Sequence, residues 1–315
     1  MPHMDSASVC SWLKLRHLVL IETLARTQNM RMAAEEMNLT QPALSKMLRD
    51  IEAFMGMVLF DREPRRMVPT DLGRHVADYA SATLNDTEKF VARLNALRTG
   101  GHGYLKVGAI FAATFSVLPR ALQQVKSLRP LLSIEIVEQT SDKLLGMLER
   151  KEIDLVIGRF NDSHHAHIFD FFPLARETFV LVSHVRHPLA EATTLTVDAL
   201  RNSPWVLYPT GTPIRDRIDR AFAAAGARAP QNTIETTSMP TFLQLLDSQQ
   251  PIAALPLSMV ARQVREGRFK ALQSDLKIEP LTYGVITRKG ETLNATARLF
   301  ADTLREQNPP DLQTS

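Results

Sequence analysis

Four polar residues at helical spacing carry the groups needed to recognise a nucleic acid. Gln41 and Arg49 can bond base edges, Lys46 can bind a phosphate, and the small hydroxyl of Ser45 permits close approach. The apolar residues among and beyond them recur every three or four positions. These are Leu44, Met47, Leu48, Ile51 and Phe54. The spacing therefore predicts a helix whose inner face is apolar and whose outer face can contact double-stranded DNA.

The residues before this helix predict a tight turn from an earlier one. Thr40 can cap the helix through its hydroxyl, and Pro42 falls in the first turn, where a missing N–H costs no hydrogen bond. The earlier helix has Ala33, Ala34 and Met37 on its apolar side. Two helices joined at residues 38–40 have the layout of a helix-turn-helix. An ordinary helical hairpin with a solvated polar face is the alternative.

A basic turn follows within residues 57–70, MVLFDREPRRMVPT. A short apolar run enters the turn and Met67 and Val68 leave it, which predicts a two-stranded wing. Arg62, Arg65 and Arg66 would lie near its tip, within reach of phosphates or the minor groove. A solvated turn is the alternative. The candidate DNA-binding residues are Thr40, Gln41, Pro42, Ser45, Lys46, Arg49, Arg62, Arg65 and Arg66.

Two segments resemble the LysR-type transcriptional regulators: MRMAAEEMNLTQPALSKMLRDIEAFMG and LFDREPRRMVPTDLG. TQPALSK followed by the arginine-rich wing is a compound motif, which is more specific than one short pattern. The resemblance implies a winged helix-turn-helix, a long linker helix that pairs with its copy in a homodimer, commonly a homotetramer, and RNA polymerase as a further partner. One departure is Gln28-Asn29, where the family usually has Gly and Ser. Since Asn tolerates the left-handed conformation, the turn is expected to survive.

Residues 70–98 predict one long helix with a broad apolar side. That side carries Leu72, Val76, Tyr79, Ala80, Thr83, Phe90, Leu94 and Leu97. The helix leaves a small domain and meets a Gly-rich hinge at 100–103, so it has little of its own domain to contact. The resemblance implies that it forms the dimer interface. A helix that folds back on its own chain is the alternative.

Beyond the hinge, apolar runs alternate with amphipathic helices, which predicts a parallel α/β sheet. The resemblance implies two lobes with the fold of periplasmic solute-binding proteins. The predicted domains are a winged helix-turn-helix at 1–70, a linker helix at 71–99, effector lobe I at 100–160 and 270–308, effector lobe II at 161–269, and a tail at 309–315. The overall fold class is α/β.

A small-molecule effector is expected beyond the carboxyl ends of the strands, where α/β sheets bind ligands. The candidate residues are Phe111, Ala112, Thr114, Thr140, Ser141, Arg159, Pro209, Thr210, Thr212, Thr237 and Ser238. Hydroxyls at helix starts favour an anion, although any one of them can be a simple N-cap. Arg159 can clamp a carboxylate or be solvated. The segment VIGRFNDSHHAHIFDFFPLARETFVLVSHVRHPLA is similar to the branch of sugar- and aromatic-acid-responsive regulators, so the effector is expected to be anionic or a sugar.

Composition fits a globular protein without a strong charge signal. The 315 residues are 44% apolar and 23% charged, with a net charge of +3. Residues 1–99 hold 13 basic and 12 acidic side chains, so the DNA prediction rests on the positions of the cations. The one cysteine, Cys10, is expected in a mobile N-terminal tail, and a single cysteine excludes an internal disulfide. With no export signal and no apolar run of about 20 residues, a cytoplasmic protein without a membrane segment is expected.

Rival functions find little support in the sequence. A solute-binding transport component would share two lobes, but it would need an export signal and would not need the TQPALSK motif. A metal or thiol hydrolase would need a catalytic group of residues. His164, His165 and His167 fit a solvated loop better than a metal site, and Cys10 has no base to activate it. No cofactor motif occurs, so the chain is not expected to be an enzyme.

Overall fold

The computed structural model describes residues 5–64, 66–98, 101–159, 165–248 and 250–308. The chain divides into two units. The first is Met1–Thr99 with Glu149–Glu152, and the second is Gly100–Leu148 with Ile153–Ser315.

The first unit is a helical domain with a short hairpin. Its elements are α1 (Ser6–Trp12), α2 (Leu15–Thr27), α3 (Met30–Glu36), α4 (Gln41–Met55), β1 (Phe60–Glu63), β2 (Arg66–Pro69) and α5 (Asp71–Arg98). Apolar residues three or four positions apart turn α2 and α4 towards one core. The fully buried members include Leu20, Ile21, Leu24, Leu44, Leu48 and Ile51. The predicted helix-turn-helix and long helix are therefore present.

The hairpin between α4 and α5 is the predicted wing. β1 and β2 pair antiparallel, with Phe60 opposite Pro69 and Glu63 opposite Arg66. α5 begins against this hairpin, and Gly73 permits the close approach. A Cβ at Gly73 would stand 1.9 Å from the carbonyl oxygen of Leu59, which is far inside van der Waals contact.

Two local predictions differ from the structure. The left-handed residue of the turn after α2 is Gln28, with φ of 48°, whereas Asn29 is extended and caps α3 by accepting from the N–H groups of Arg31 and Met32. At the N-cap position, the Asn29 side chain satisfies two backbone N–H groups that have no partner within the helix. This stabilises the chain more than placing Asn at the left-handed position would. Cys10 lies in helix α1 and not in an irregular tail, because Asp5 caps that helix through the N–H of Ser8.

The second unit contains two five-stranded sheets covered by helices. Its strands are β3 (Tyr104–Ala109), β4 (Ser133–Glu138), β5 (Leu155–Gly158), β6 (Phe169–Glu177), β7 (Phe179–His184), β8 (Trp205–Leu207), β9 (Thr233–Glu235), β10 (Ile252–Pro256), β11 (Phe269–Leu272) and β12 (Leu281–Arg288). Its helices are α6 (Phe111–Thr114), α7 (Val117–Leu128), α8 (Ser141–Glu149), α9 (His165–Ile168), α10 (Val197–Arg201), α11 (Pro213–Ala224), α12 (Met239–Asp247), α13 (Leu257–Arg265) and α14 (Ala295–Gln307), with a 3-10 turn at Pro188–Glu191.

The strand order is β4-β3-β5-β12-β6 in the first sheet and β11-β7-β10-β8-β9 in the second. Each sheet has its own apolar core, which establishes the two lobes. Both sheets are mixed, so the prediction of parallel sheets is wrong for part of each. β12 runs antiparallel to β5 and β6, and β7 runs antiparallel to β10 and β11, because the chain crosses between lobes and returns.

The crossings also differ from the predicted division of the lobes. β6, which falls in residues 161–269, lies in the first sheet, since it pairs with β12 from Leu281 opposite Glu177 to Arg288 opposite Phe169. Only Thr178 separates β6 from β7 of the second sheet. Glu177 is therefore the last residue of the first sheet before the chain enters the other lobe.

None of the helices in the described part of the chain combines the length and the apolar composition needed to span a membrane.

Candidate functional site

The first candidate site is the outer face of α4. Thr40 accepts a hydrogen bond from the N–H of Ala43 at 3.4 Å, and Pro42 lies in the first turn, as its position predicts. Burial of Leu44, Leu48 and Ile51 fixes which side of the helix faces the core. The opposite side leaves Gln41, Lys46 and Arg49 exposed and Ser45 half-buried. The structure thus brings all four onto one accessible face of a rigid helix.

The wing contributes cations next to that helix in the chain. Arg62 on β1 and Arg66 on β2 are exposed. Arg65 lies outside the described residues. Neither Arg62 nor Arg66 has an ion pair among the salt bridges of the described chain, so both can take a phosphate.

The second candidate site is a cleft between the lobes of the second unit. Its cavity has a volume of about 190 Å³. Seven of the predicted effector residues line it: Phe111, Ala112, Thr140, Ser141, Arg159, Thr212 and Thr237. Four do not: Thr114, Pro209, Thr210 and Ser238. The last group includes two residues engaged elsewhere, since the Thr114 hydroxyl donates to the carbonyl of Phe111 and Ser238 caps α12.

Arg159 lies at the floor of this cleft and is not solvated. It is 4% exposed, and its guanidinium forms a short ion pair with Glu177, which is 6% exposed. Its backbone N–H donates to the Ser141 hydroxyl at 3.2 Å, and its Cζ lies 5.7 Å from the ring centre of Tyr283. Arg159 is therefore held from three sides by β6, α8 and β12.

Burial controls the ionisation of this floor. It raises the pKa of Glu177, an effect that the charge of Arg159 opposes. Burial also raises the pKa of Tyr208, so that hydroxyl keeps its proton and can donate a hydrogen bond. The Tyr283 hydroxyl lies 2.7 Å from that of Ser116, which itself donates to the carbonyl of Ala112. These contacts connect the floor of the cleft to α6 and to the start of α7.

Sequence reasoning missed several residues of the cleft. The unpredicted lining residues are Ile110, Glu138, Gln139, Tyr208, Pro213, Ile214, Pro256 and Met259. Four of these eight directly adjoin predicted positions, so a window one residue wider would have found them: Ile110, Gln139, Tyr208 and Pro213. Glu177 had no such signal, because it ends a strand that was not predicted and meets Arg159 only through the sheet pairing.

Two members of the histidine cluster lie within the described part of the chain. His165 and His167 lie on the short helix α9, and His164 lies outside the described residues. Within the described chain, no group of three His, Cys, Asp or Glu side chains is arranged to hold a metal ion.

Comparison with known proteins assigns both units. Residues 15–74 match the bacterial regulatory helix-turn-helix protein, lysR family, and residues 98–309 match the LysR substrate binding domain. The chain is 29% identical over 296 residues to the HTH-type transcriptional regulator GbpR of Azospirillum brasilense, covering 93% of this chain and 86% of the relative. It is 30% identical over 247 residues to GbpR of Rhizobium radiobacter, covering 78% and 81%.

Solved structures agree on the fold. CbnR, a LysR family transcriptional regulator, has a TM-score of 0.67 at 21% identity, over 94% of this chain and 99% of CbnR. CbnR complexed with its target DNA has a TM-score of 0.66 at 21% identity, over 93% and 99%. With a helix-turn-helix in one unit and an effector-binding fold in the other, this chain belongs to the LysR family of DNA-binding transcription regulators and is not an enzyme.

Proposed function

We propose that the exposed face of α4 contacts base edges while the wing contacts phosphates. Gln41, Ser45 and Arg49 would lie in the major groove, and Lys46, Arg62, Arg65 and Arg66 would neutralise the backbone. The observation that carries this assignment is the exposure of the polar side of α4 opposite a fully buried apolar side. Thr40 and Pro42, at the start of the helix, would set how closely it approaches the groove.

We also propose a homodimer formed through α5. Six large apolar side chains of this helix are 44% to 63% exposed in the single chain: Leu72, Tyr79, Phe90, Val91, Leu94 and Leu97. Such a row rarely faces water, and a second copy of the helix would cover it. Ala80 and Val76 instead pack into the core of the first unit, so they fall outside this surface. A cytoplasmic homotetramer that contacts RNA polymerase is the assembly we expect.

The cleft, in this proposal, binds a small effector that is anionic or a sugar. Ligand bound there would favour one arrangement of the lobes. The size of this shift is set by how much more tightly the ligand binds that arrangement than the other. The ion pair of Arg159 and Glu177 joins the cleft floor to the strand that crosses between lobes, which provides a physical route for such a preference.

Base recognition can be tested by replacing Arg49 with Ala. This change should weaken operator binding by about 1 to 3 kcal/mol and relax the preference at one base position, because a bidentate contact to a base is lost. Arg62→Ala is the matched control, since it removes an exposed arginine from the wing. It should weaken binding to all DNA and reduce the slope of affinity against salt. Gel shifts on operator and scrambled DNA separate the two; equal losses for Arg49→Ala on both would remove it from base recognition.

The cleft assignment can be tested with two matched threonines. Thr237 lines the cavity, whereas Thr210, two residues after Tyr208, does not; both are exposed. Thr237→Val should weaken effector binding by about 0.5 to 1.5 kcal/mol, the net worth of one hydrogen bond, and Thr210→Val should leave it unchanged. Calorimetric titration of the ligand found in a thermal-shift screen measures both. The reverse order of effects would move the binding site away from this cavity.

A further inference from the structure

The positive charge of Arg159 at the cleft floor is already neutralised before any ligand arrives. Among the described residues that line the cavity, Arg159 and Glu138 are charged, and Arg159 is paired with buried Glu177. One positive and two negative charges leave a formal charge of −1. The cleft therefore offers an incoming anion no uncompensated cation.

A carboxylate that took Arg159 for itself would have to displace Glu177. That exchange would leave the Glu177 carboxylate 6% exposed and without its cation, and an unpaired buried charge is strongly unfavourable. Two helices that start at the cleft do not reverse this balance. α8 and α11 each carry an acidic residue in the first turn, Asp142 and Asp216, which offsets the positive end of the helix dipole.

The unused groups of the ion pair are not open to a ligand. Within the described chain, the Nε of Arg159 and the Oε1 of Glu177 are both buried and have no hydrogen-bond partner, and Glu177 is not among the residues that line the cavity. A ligand in the cavity therefore meets an arginine whose charge is already neutralised from behind.

The rest of the cavity suits an uncharged ligand. Gln139, Thr140, Ser141 and Tyr208 offer neutral amide and hydroxyl groups, and Phe111 and Met259 supply apolar surface. The volume of about 190 Å³ fits a single ring, since a cavity of about 150 Å³ holds benzene. We propose that the effector is an uncharged, hydroxyl-bearing compound of one ring, bound by the neutral hydroxyl and amide groups that line the cleft. This inference rests on the proposed function of the cleft.

The test compares hydroxyl compounds with their matching acids on the full-length protein. The probes are glucose with glucuronate, galactose with galacturonate, and 3,4-dihydroxybenzyl alcohol with 3,4-dihydroxybenzoate, together with acetate and benzoate as simple anions. Calorimetry should show that wild-type protein binds no acid as tightly as its hydroxyl partner and does not bind acetate or benzoate saturably. Saturable binding of an acid at least about tenfold tighter than its partner would overturn the proposal.

Glu177→Gln tests the cause of this preference. Gln keeps an acceptor for the guanidinium but removes the charge, so the variant should gain affinity for benzoate or the ring acids by at least about tenfold. The double variant Arg159→Gln with Glu177→Gln has neither charge and should show no gain. Failure of folded Glu177→Gln to gain any anion affinity would overturn the proposal.

Two safeguards keep the results separable. If Glu177→Gln does not fold, the order of affinities within each wild-type pair decides alone. Operator binding is measured on the same samples. Intact DNA binding together with tight binding of acids would refute the uncharged ligand while leaving the proposed regulator unaffected.

Discussion

Replacing Leu94 and Leu97 together with Asp should separate the oligomer at α5. Both side chains are exposed in the single chain, at 44% and 63%, and in the proposed dimer they would be covered by the partner's helix. Association would then bury four additional carboxylates at one seam, without cations supplied to meet them. Burying unpaired charge costs several kcal/mol, so the dimer dissociation constant should rise by about a thousandfold or more. Sedimentation velocity measures the change in mass.

A control for this variant keeps the surface apolar. Leu94→Met with Leu97→Met changes shape but not polarity, and it should preserve the oligomer with a small loss of affinity. Because neither position belongs to the buried core of the first unit, the melting of that unit should be unchanged in both variants. An Asp variant that keeps its mass would place the dimer interface elsewhere.

Loss of the dimer should also weaken operator binding far more than Arg49→Ala does. Two recognition helices held at a fixed separation gain from simultaneous binding, whereas a monomer binds one half-site alone. Gel shifts with a full operator and with a single half-site would separate this effect. The Asp variant should approach wild-type affinity only on the half-site.

The first unit could be predicted closely because its signals are local. The stripe of Leu44, Leu48 and Ile51, the cap at Thr40 and the turn at Gln28 act within one or two helical turns of the chain. Even here the position of the left-handed residue was wrong, since Asn29 serves as a cap instead. Asn29 could serve either as the left-handed residue of the turn or as the cap of α3, and the two choices differ by only a few tenths of a kcal/mol.

The second unit is harder to predict because its sheets are assembled from distant segments. Strand existence follows from apolar runs, but the direction and order of strands depend on where the chain crosses between lobes. β6 carries Pro173 and charged residues and is difficult to predict as a strand, yet its pairing with β12 places Glu177 where the chain crosses between the lobes. The partner of Arg159 thus lies 18 positions along the chain and became visible only in the fold.

In the cleft, too, features set by neighbouring residues in the chain could be predicted, whereas features set by distant residues could not. Residues after strands, such as Thr140 and Ser141, were predicted because parallel strands place their carboxyl ends together. The charge balance was not predicted, because it depends on Glu177 and on the burial of both partners. A single arginine after an apolar strand favours an anion, whereas the same arginine already paired does not.

Replacing Arg159 with Met should destabilise the second unit by about 3 to 5 kcal/mol, the usual cost of leaving one partner of a buried ion pair without the other. Replacing Glu177 with Met in the same chain should restore most of that loss, since both charges are then gone. Trp205, 1% exposed in the second lobe, reports the unfolding of this unit once Trp12 is changed to Phe. Urea unfolding followed by Trp205 fluorescence in the full-length protein measures both variants.

The penalty of Arg159→Met should depend on pH in a direction fixed by Glu177. Burial raises the pKa of Glu177 above its ordinary value of 4.5, and the variant lacks the cation that opposes this rise. The folded variant then holds a proton that the unfolded chain releases, so the contribution of Glu177 to its stability is fully present below pH 4.5 and is lost as pH increases through the folded-state pKa. Relative to wild type, the loss should therefore shrink towards acid pH, and the double Met variant should show no such trend. A penalty that is independent of pH between 5 and 8 would mean that Glu177 finds another counter-charge, and the coupling between the cleft floor and β6 would not rest on this pair.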